Sequence, residues 1–110
     1  MRATEAELDA TFGALAHQTR RRILSRLQSG EATVSDLAAP HRMSLPTISR
    51  HLRVLEDAGL ISRTIEGRFH HCRLAPDAVD SAQAWLERHR RFWAEGLDRL
   101  SKYVEELETE

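Results

Sequence analysis

The sequence predicts a mostly α-helical domain with one small β-hairpin, arranged as a winged helix-turn-helix of five helices and a two-stranded wing. Three observations carry that prediction. Residues 35–39 (SDLAA) read as a short helix, and residues 44–59 read as a longer one with an apolar stripe and a glycine stop. Residues 60–65 and 68–74 then read as two strands around a polar Glu66-Gly67 turn. The helix-turn-helix is thus expected over 34–59 and the wing over 60–74. At 110 residues the chain has the size of one domain, read here as spanning 1–110.

Each element has its own signal. Leu8, Phe12 and Leu15 recur at helical spacing, so residues 5–16 form a first helix. Residues 18–28 form a second, with Ile23, Leu24 and Leu27 on one side and Ser29-Gly30 as its stop. Thr33 and Asp36 are spaced like a capping box and open a short third helix, which Pro40 ends. Ser44 is a suitable N-cap for the fourth helix, with Pro46 in the first turn, where a missing N–H costs nothing. Ile48, Leu52 and Leu55 form its buried stripe, and Gly59 supplies the left-handed residue after it.

The last helix is expected over 77–107. Its apolar positions include Val79, Ala82, Leu86, Trp93, Leu97, Leu100, Val104 and Leu107. A helix of that length is roughly 45 Å long, more than a domain this small can cover alone. A two-fold homodimer built from the first and last helices (5–16 and 77–107) is therefore expected. Its interface would comprise Leu8, Phe12, Leu15, Trp85, Leu86, Phe92, Trp93, Leu97, Leu100 and Val104.

Charge is distributed unevenly. The net charge is −1, yet residues 41–73 sum to +3 and residues 74–110 to −4. The positive charge sits on the suspected reading unit, and all but one of the sixteen basic residues are Arg, whose planar fork suits guanine and phosphate. No apolar run is long enough for a bilayer and no secretory signal opens the chain, so a cytoplasmic protein without a membrane partner is expected. The single Cys72 cannot form an internal disulfide.

These features point to double-stranded DNA as the partner. On the fourth helix the face opposite the apolar stripe carries Pro46, Arg50, Arg53 and Asp57, flanked by Thr47 and Ser49. Thr47, Ser49, Arg50 and Arg53 are the expected major-groove readers, with Ser44 capping near a phosphate and Gly67-Arg68 forming the wing tip. His51 lies at the edge of the stripe, either against a neighbouring helix or at the DNA. His70, His71 and Cys72 are the one ligand-like cluster, read first as polar wing-strand residues near DNA with a small buried thiol, and open to a metal- or redox-responsive alternative in which nearby Arg68, Arg73 and the two His lower the thiol pKa. A protein-interaction module that keeps the fold is the other alternative. No Gly-rich phosphate loop, nucleophile elbow or activated acid pair supports an enzyme, and no cofactor is expected.

The runs LAHQTRRRIL (15–24), SLPTISRHLRVLEDAGLISR (44–63) and EGRFHHCRLAP (66–76) resemble the ArsR-type winged-helix repressors of bacteria over roughly residues 8–107. The Ser-Arg-His-Leu-x-x-Leu-x-x-Ala-Gly-Leu run at 49–60 is the most specific part. Gln18 departs from a frequent Pro, at what should be a helix start. The resemblance implies a homodimeric repressor of palindromic DNA, often autoregulatory, released by an effector that the sequence does not identify. The family's known metal sites are incomplete. The position of its Cys-x-Cys-Asp-Leu thiolate motif holds Thr33-Val34-Ser35-Asp36-Leu37. The zinc motif on the last helix is reduced to Asp80-x-Ala82, and His89 is followed three residues on by Phe92. A response to metal through those sites is not expected.

Overall fold

The computed structural model describes residues 3–109; residues 1, 2 and 110, which the single-domain reading includes, lie outside the described residues. In chain order the elements are α1 (Glu5–Leu15), α2 (Gln18–Leu27), β1 (Ala32–Thr33), α3 (Val34–Ala38), a short 3-10 turn (Ala39–His41), α4 (Leu45–Asp57), β2 (Ile61–Glu66), β3 (Phe69–Leu74) and α5 (Asp77–Thr109). This is a winged helix-turn-helix, with α3 and α4 as the helix pair and β2–β3 as the wing.

Side-chain caps start the helices where the sequence places them. Thr33 and Asp36 form a reciprocal capping box on α3, each side chain accepting a hydrogen bond from the other's backbone N–H. Those bonds favour the carboxylate and hold the Asp36 pKa below its ordinary value. Ser44 Oγ accepts from Thr47 N–H at the start of α4. Thr4 and Glu7 make a second capping box on α1. Gln18 is the first residue of α2 behind the His17 cap, which explains why Pro is dispensable there.

The core gathers Ile23 from α2, Leu37 from α3, Ile48, Leu52 and Leu55 from α4, Leu60 and Cys72, all fully buried. The expected stripe of α4 is thus the stripe that enters the core. Leu8 is also buried by its own chain, so this position belongs to intrachain packing, whereas Leu15 is half-buried at the edge of the core.

Three details differ from the sequence reading. The sheet has three antiparallel strands in the order β1-β3-β2, because Ala32 and Thr33 pair with Cys72 and His71. The hairpin loop is Gly67-Arg68, one residue later than expected, since Glu66 pairs with Phe69. Gly67 has φ 61° while Arg68 keeps a negative φ, the type II′ pattern that favours glycine at the first loop position. The α-helix α3 does end before Pro40, but the chain continues into a 3-10 turn containing that proline, absent from the sequence reading, which ends on Arg42 at φ 52°.

Helix α5 runs for 33 residues, about 50 Å. Its first part packs on α1, where the rings of Phe12 and Trp85 meet edge to face at 5.7 Å. Beyond Trp85 its apolar stripe has no cover: Leu86, Phe92, Leu97, Leu100 and Val104 are exposed, and Trp93 is 68% exposed. The helix gives the molecule a length of 74 Å against 33 and 23 Å across.

Thr33→Ala removes the α3 capping box. It should lower unfolding stability by about 1 kcal/mol in a urea titration; an unchanged midpoint would show that β1 pairing alone fixes the start of α3.

Candidate nucleic-acid interface

Burying Ile48, Leu52 and Leu55 turns the opposite face of α4 outward. Pro46, Ser49, Arg50 and Arg53, with the carboxylates of Glu56 and Asp57 toward the C-terminal end of the helix, then form one wall of a groove of about 490 Å³, and Arg63, Ile65 and His70 of the wing form the other. Four of the expected DNA-facing residues are therefore brought together. Ser44 stays at the α4 cap, and Thr47 is half-buried beside it with its hydroxyl 2.9 Å from Ser44 Oγ. Gly67 and Arg68 form the wing tip, and Arg68 borders a second recess of about 240 Å³ together with Ser49.

Arg50, Arg53 and Arg68 are exposed and make no side-chain hydrogen bond or ion pair among the described residues. Their charges are available to a polyanion. Arg63 is different. Its Nε lies 3.5 Å from a Glu56 carboxylate oxygen, and one of its terminal nitrogens lies 3.5 Å from His70 Nδ1. At that separation the Nε hydrogen finds no hydrogen-bond partner, so the contact is a loose ion pair linking the wing to α4.

The sequence marks Arg63 as one of the basic wing residues and His70 as a polar one, but it did not single out Ile65 or join these three to the α4 face. The available signal was strand alternation: Arg63 and Ile65 share a face of β2, and the pairing puts His70 opposite Ile65 on that face.

His51 lies elsewhere. Its ring stacks at a tilt on His17, with centroids 4.5 Å apart, and Nδ1 is 3.4 Å from an Arg20 terminal nitrogen. It is half-buried where α4 meets the start of α2, so it is a packing residue rather than a lining residue of the groove. Burial first, and the nearby charges of His17, Arg20 and His41 second, lower its pKa below the ordinary 6.5.

The His70–Cys72 cluster does not converge. His70 faces the groove, while His71 lies on the other face of β3 with its ring nitrogens 3.8 Å from Glu31 and 3.9 Å from Glu66. Cys72 points into the core and is fully buried. Its pKa is raised, chiefly by burial, as suits a small buried thiol, and not lowered by Arg68 and Arg73 as the redox alternative supposed; Arg63 is the cation that partly opposes the shift. A buried thiol of raised pKa is a poor redox sensor. Among the described residues no three His, Cys, Asp or Glu side chains gather as metal ligands would.

Residues 17–63, from the start of α2 into β2, match the family described as bacterial regulatory protein, arsR family. The chain is 33% identical over 79 residues to the transcriptional repressor SdpR of Bacillus subtilis, covering 72% of this chain and 88% of SdpR. The chain belongs to the arsR family.

Solved structures agree. A crystal structure of an ArsR family transcriptional regulator superposes with a TM-score of 0.80 at 38% identity, over 86% of this chain and 97% of that one. A domain from Mycobacterium bovis, described as a homodimeric winged helix-turn-helix DNA-binding domain, superposes with a TM-score of 0.62 at 29% identity, over 86% and 84% of the two chains. The arsR family comprises transcriptional regulators rather than enzymes, and this chain is a DNA-binding regulator of that kind. No helix among the described residues is long and apolar enough to cross a membrane.

The His51 environment predicts an acid-sensitive fold. Well above pH 6.5 both folded and unfolded chains hold a neutral His51, and the group contributes nothing. As pH falls through 6.5 the unfolded chain takes up the proton first, so stability drops until the lower folded pKa is passed. The loss of unfolding stability between about pH 7.5 and about pH 5.5 should be smaller in His51→Gln than in wild type. An equal loss in both would assign the acid sensitivity to other histidines.

Proposed function

We propose that this chain is a cytoplasmic homodimeric repressor that binds an inverted repeat in double-stranded DNA, without a response to metal through the family's known sites. The observation that carries the reading is the set of three unpartnered guanidinium groups, Arg50 and Arg53 on α4 and Arg68 on the wing tip, around continuous recesses. Arg50, with Ser49 and Thr47 beside it, is assigned to base edges in the major groove. Arg53 and Arg68 are assigned to phosphates, with the wing tip at the neighbouring minor groove. His51 supports α4 from behind. Repression is assigned by similarity to SdpR, which is named a repressor.

The homodimer is supported by the uncovered stripe of α5 and by the homodimeric M. bovis domain. Phe12, Leu15, Trp85, Leu86, Phe92, Trp93, Leu97, Leu100 and Val104 are its proposed surface. Two-fold symmetry places two α4 helices on two half-sites of opposite orientation, about one DNA turn apart.

Two variants test the division of roles. Arg50→Ala should weaken binding to a specific site by about 1–3 kcal/mol and relax one base position, while leaving binding to random DNA little changed. Arg68→Ala should weaken all sequences alike and lower the log–log salt slope by about one. Equal losses at both positions on both DNAs would contradict it. For the dimer, Leu97→Asp should shift the protein to monomer in sedimentation velocity and abolish tight operator binding; a stable dimer in that variant would remove α5 from the interface.

A further inference from the structure

We propose that Leu45, Ile65 and Phe69 are DNA-contacting side chains that seat deoxyribose rings of the strand whose phosphates lie along Arg68. The inference rests on the DNA-binding reading above and adds a non-ionic component to it.

Outside α5, Ile65 and Phe69 are the most exposed large apolar side chains among the described residues, at 64% and 61%, and Leu45 follows at 53%. A single exposed apolar residue needs no explanation. These three converge. Leu45 and Phe69 line one recess with Ser49 and Arg68. Ile65 lines the adjoining groove with Ser49 and Arg50. Ser49 borders both, so hydroxyl, guanidinium and hydrocarbon alternate along one strip between α4 and the wing.

A DNA strand presents the matching alternation of charged phosphate and less polar sugar. A protein segment with a continuous apolar face would find this strip interrupted by Arg63 and Arg68. The strip is continuous with the outward face of α4, so whatever α4 reads must pass it. The wing holds the apolar groups in place: Phe69 is the first residue of β3, directly after the tight Gly67-Arg68 loop and opposite Glu66. The chain's charge balance gives such contacts a role. With a net charge of −1 and an acidic α5, its long-range attraction to a polyanion is weak. Burying hydrocarbon against sugars adds affinity without displacing counterions from the DNA.

The test uses full-length Phe69→Ala, Ile65→Ala and Phe69→Leu, with Arg68→Ala as the ionic control. Binding is measured by fluorescence anisotropy over a salt series. The probes are a genomic duplex enriched by the wild-type protein and a random duplex of equal length. Each alanine variant should lose about five- to tenfold in affinity on both duplexes, with the salt slope unchanged, and Phe69→Leu should keep most of the wild-type affinity. Wild-type affinity in both alanine variants, alongside a flattened slope in Arg68→Ala, overturns this inference alone. A flattened slope in Phe69→Ala or Ile65→Ala also overturns it, because the lost contact would then be ionic. Failure of the wild-type protein to bind either duplex overturns the DNA-binding reading and the inference together.

Discussion

Burial of one stripe of α4 determines what the rest of the surface can present. Ile48, Leu52 and Leu55 are fully enclosed among residues of α2, α3 and the sheet. Full burial of each side chain contributes about 1.5–3 kcal/mol. Rotating α4 by one residue would expose that stripe and push Arg53 or Ser49 into hydrocarbon, so the orientation is unique. Arg50 and Arg53 point outward because the residues spaced around them must point inward. The recognition surface is therefore a consequence of the core.

The wing is held to the same core. Strand β3 is the centre of the sheet, bonded to β2 on one side and to β1 on the other, and β1 leads directly into the α3 capping box. Cys72 anchors β3 from beneath, while the Arg63–Glu56 pair ties β2 to α4 across the groove. That half-buried pair is too long for a hydrogen bond and contributes little to stability. Its consequence is positional: Arg63 is engaged with α4, which leaves Arg68 at the tip and Arg50 and Arg53 on the helix as the free cations. The chain's net negative charge lies on residues 74–110, most of them in α5.

Much of this was legible in the sequence because helices announce themselves by period and cap. The α4 stripe, the Ser44 and Thr33 caps and the Gly59 stop each follow from local chemistry. What was not legible depends on partners distant in the chain. Strand β1 is two residues long, too short to show alternation. Glycine can take either loop position of a hairpin, so Gly67 alone did not fix whether Glu66 or Arg68 shared the loop. The redox alternative for Cys72 was drawn from its sequence neighbours, although the side chains on either side of it in a strand point away from it. His51 meets His17, which is far away in sequence, and no wheel drawn for α4 alone shows that contact. The groove residues Arg63, Ile65 and His70 required the strand register.

The central claim is that the outward face of α4 reads a particular DNA sequence as a two-fold pair. Selection of bound fragments from the source genome by the purified protein in EDTA, beside an Arg50→Ala/Arg53→Ala control, tests it most directly. Enrichment of one inverted repeat by the wild-type protein and not by the control is the predicted result. Enrichment of no sequence, in EDTA and again with zinc added, would contradict it and leave a protein-interaction role for the fold; enrichment only with zinc would contradict the metal-independent reading.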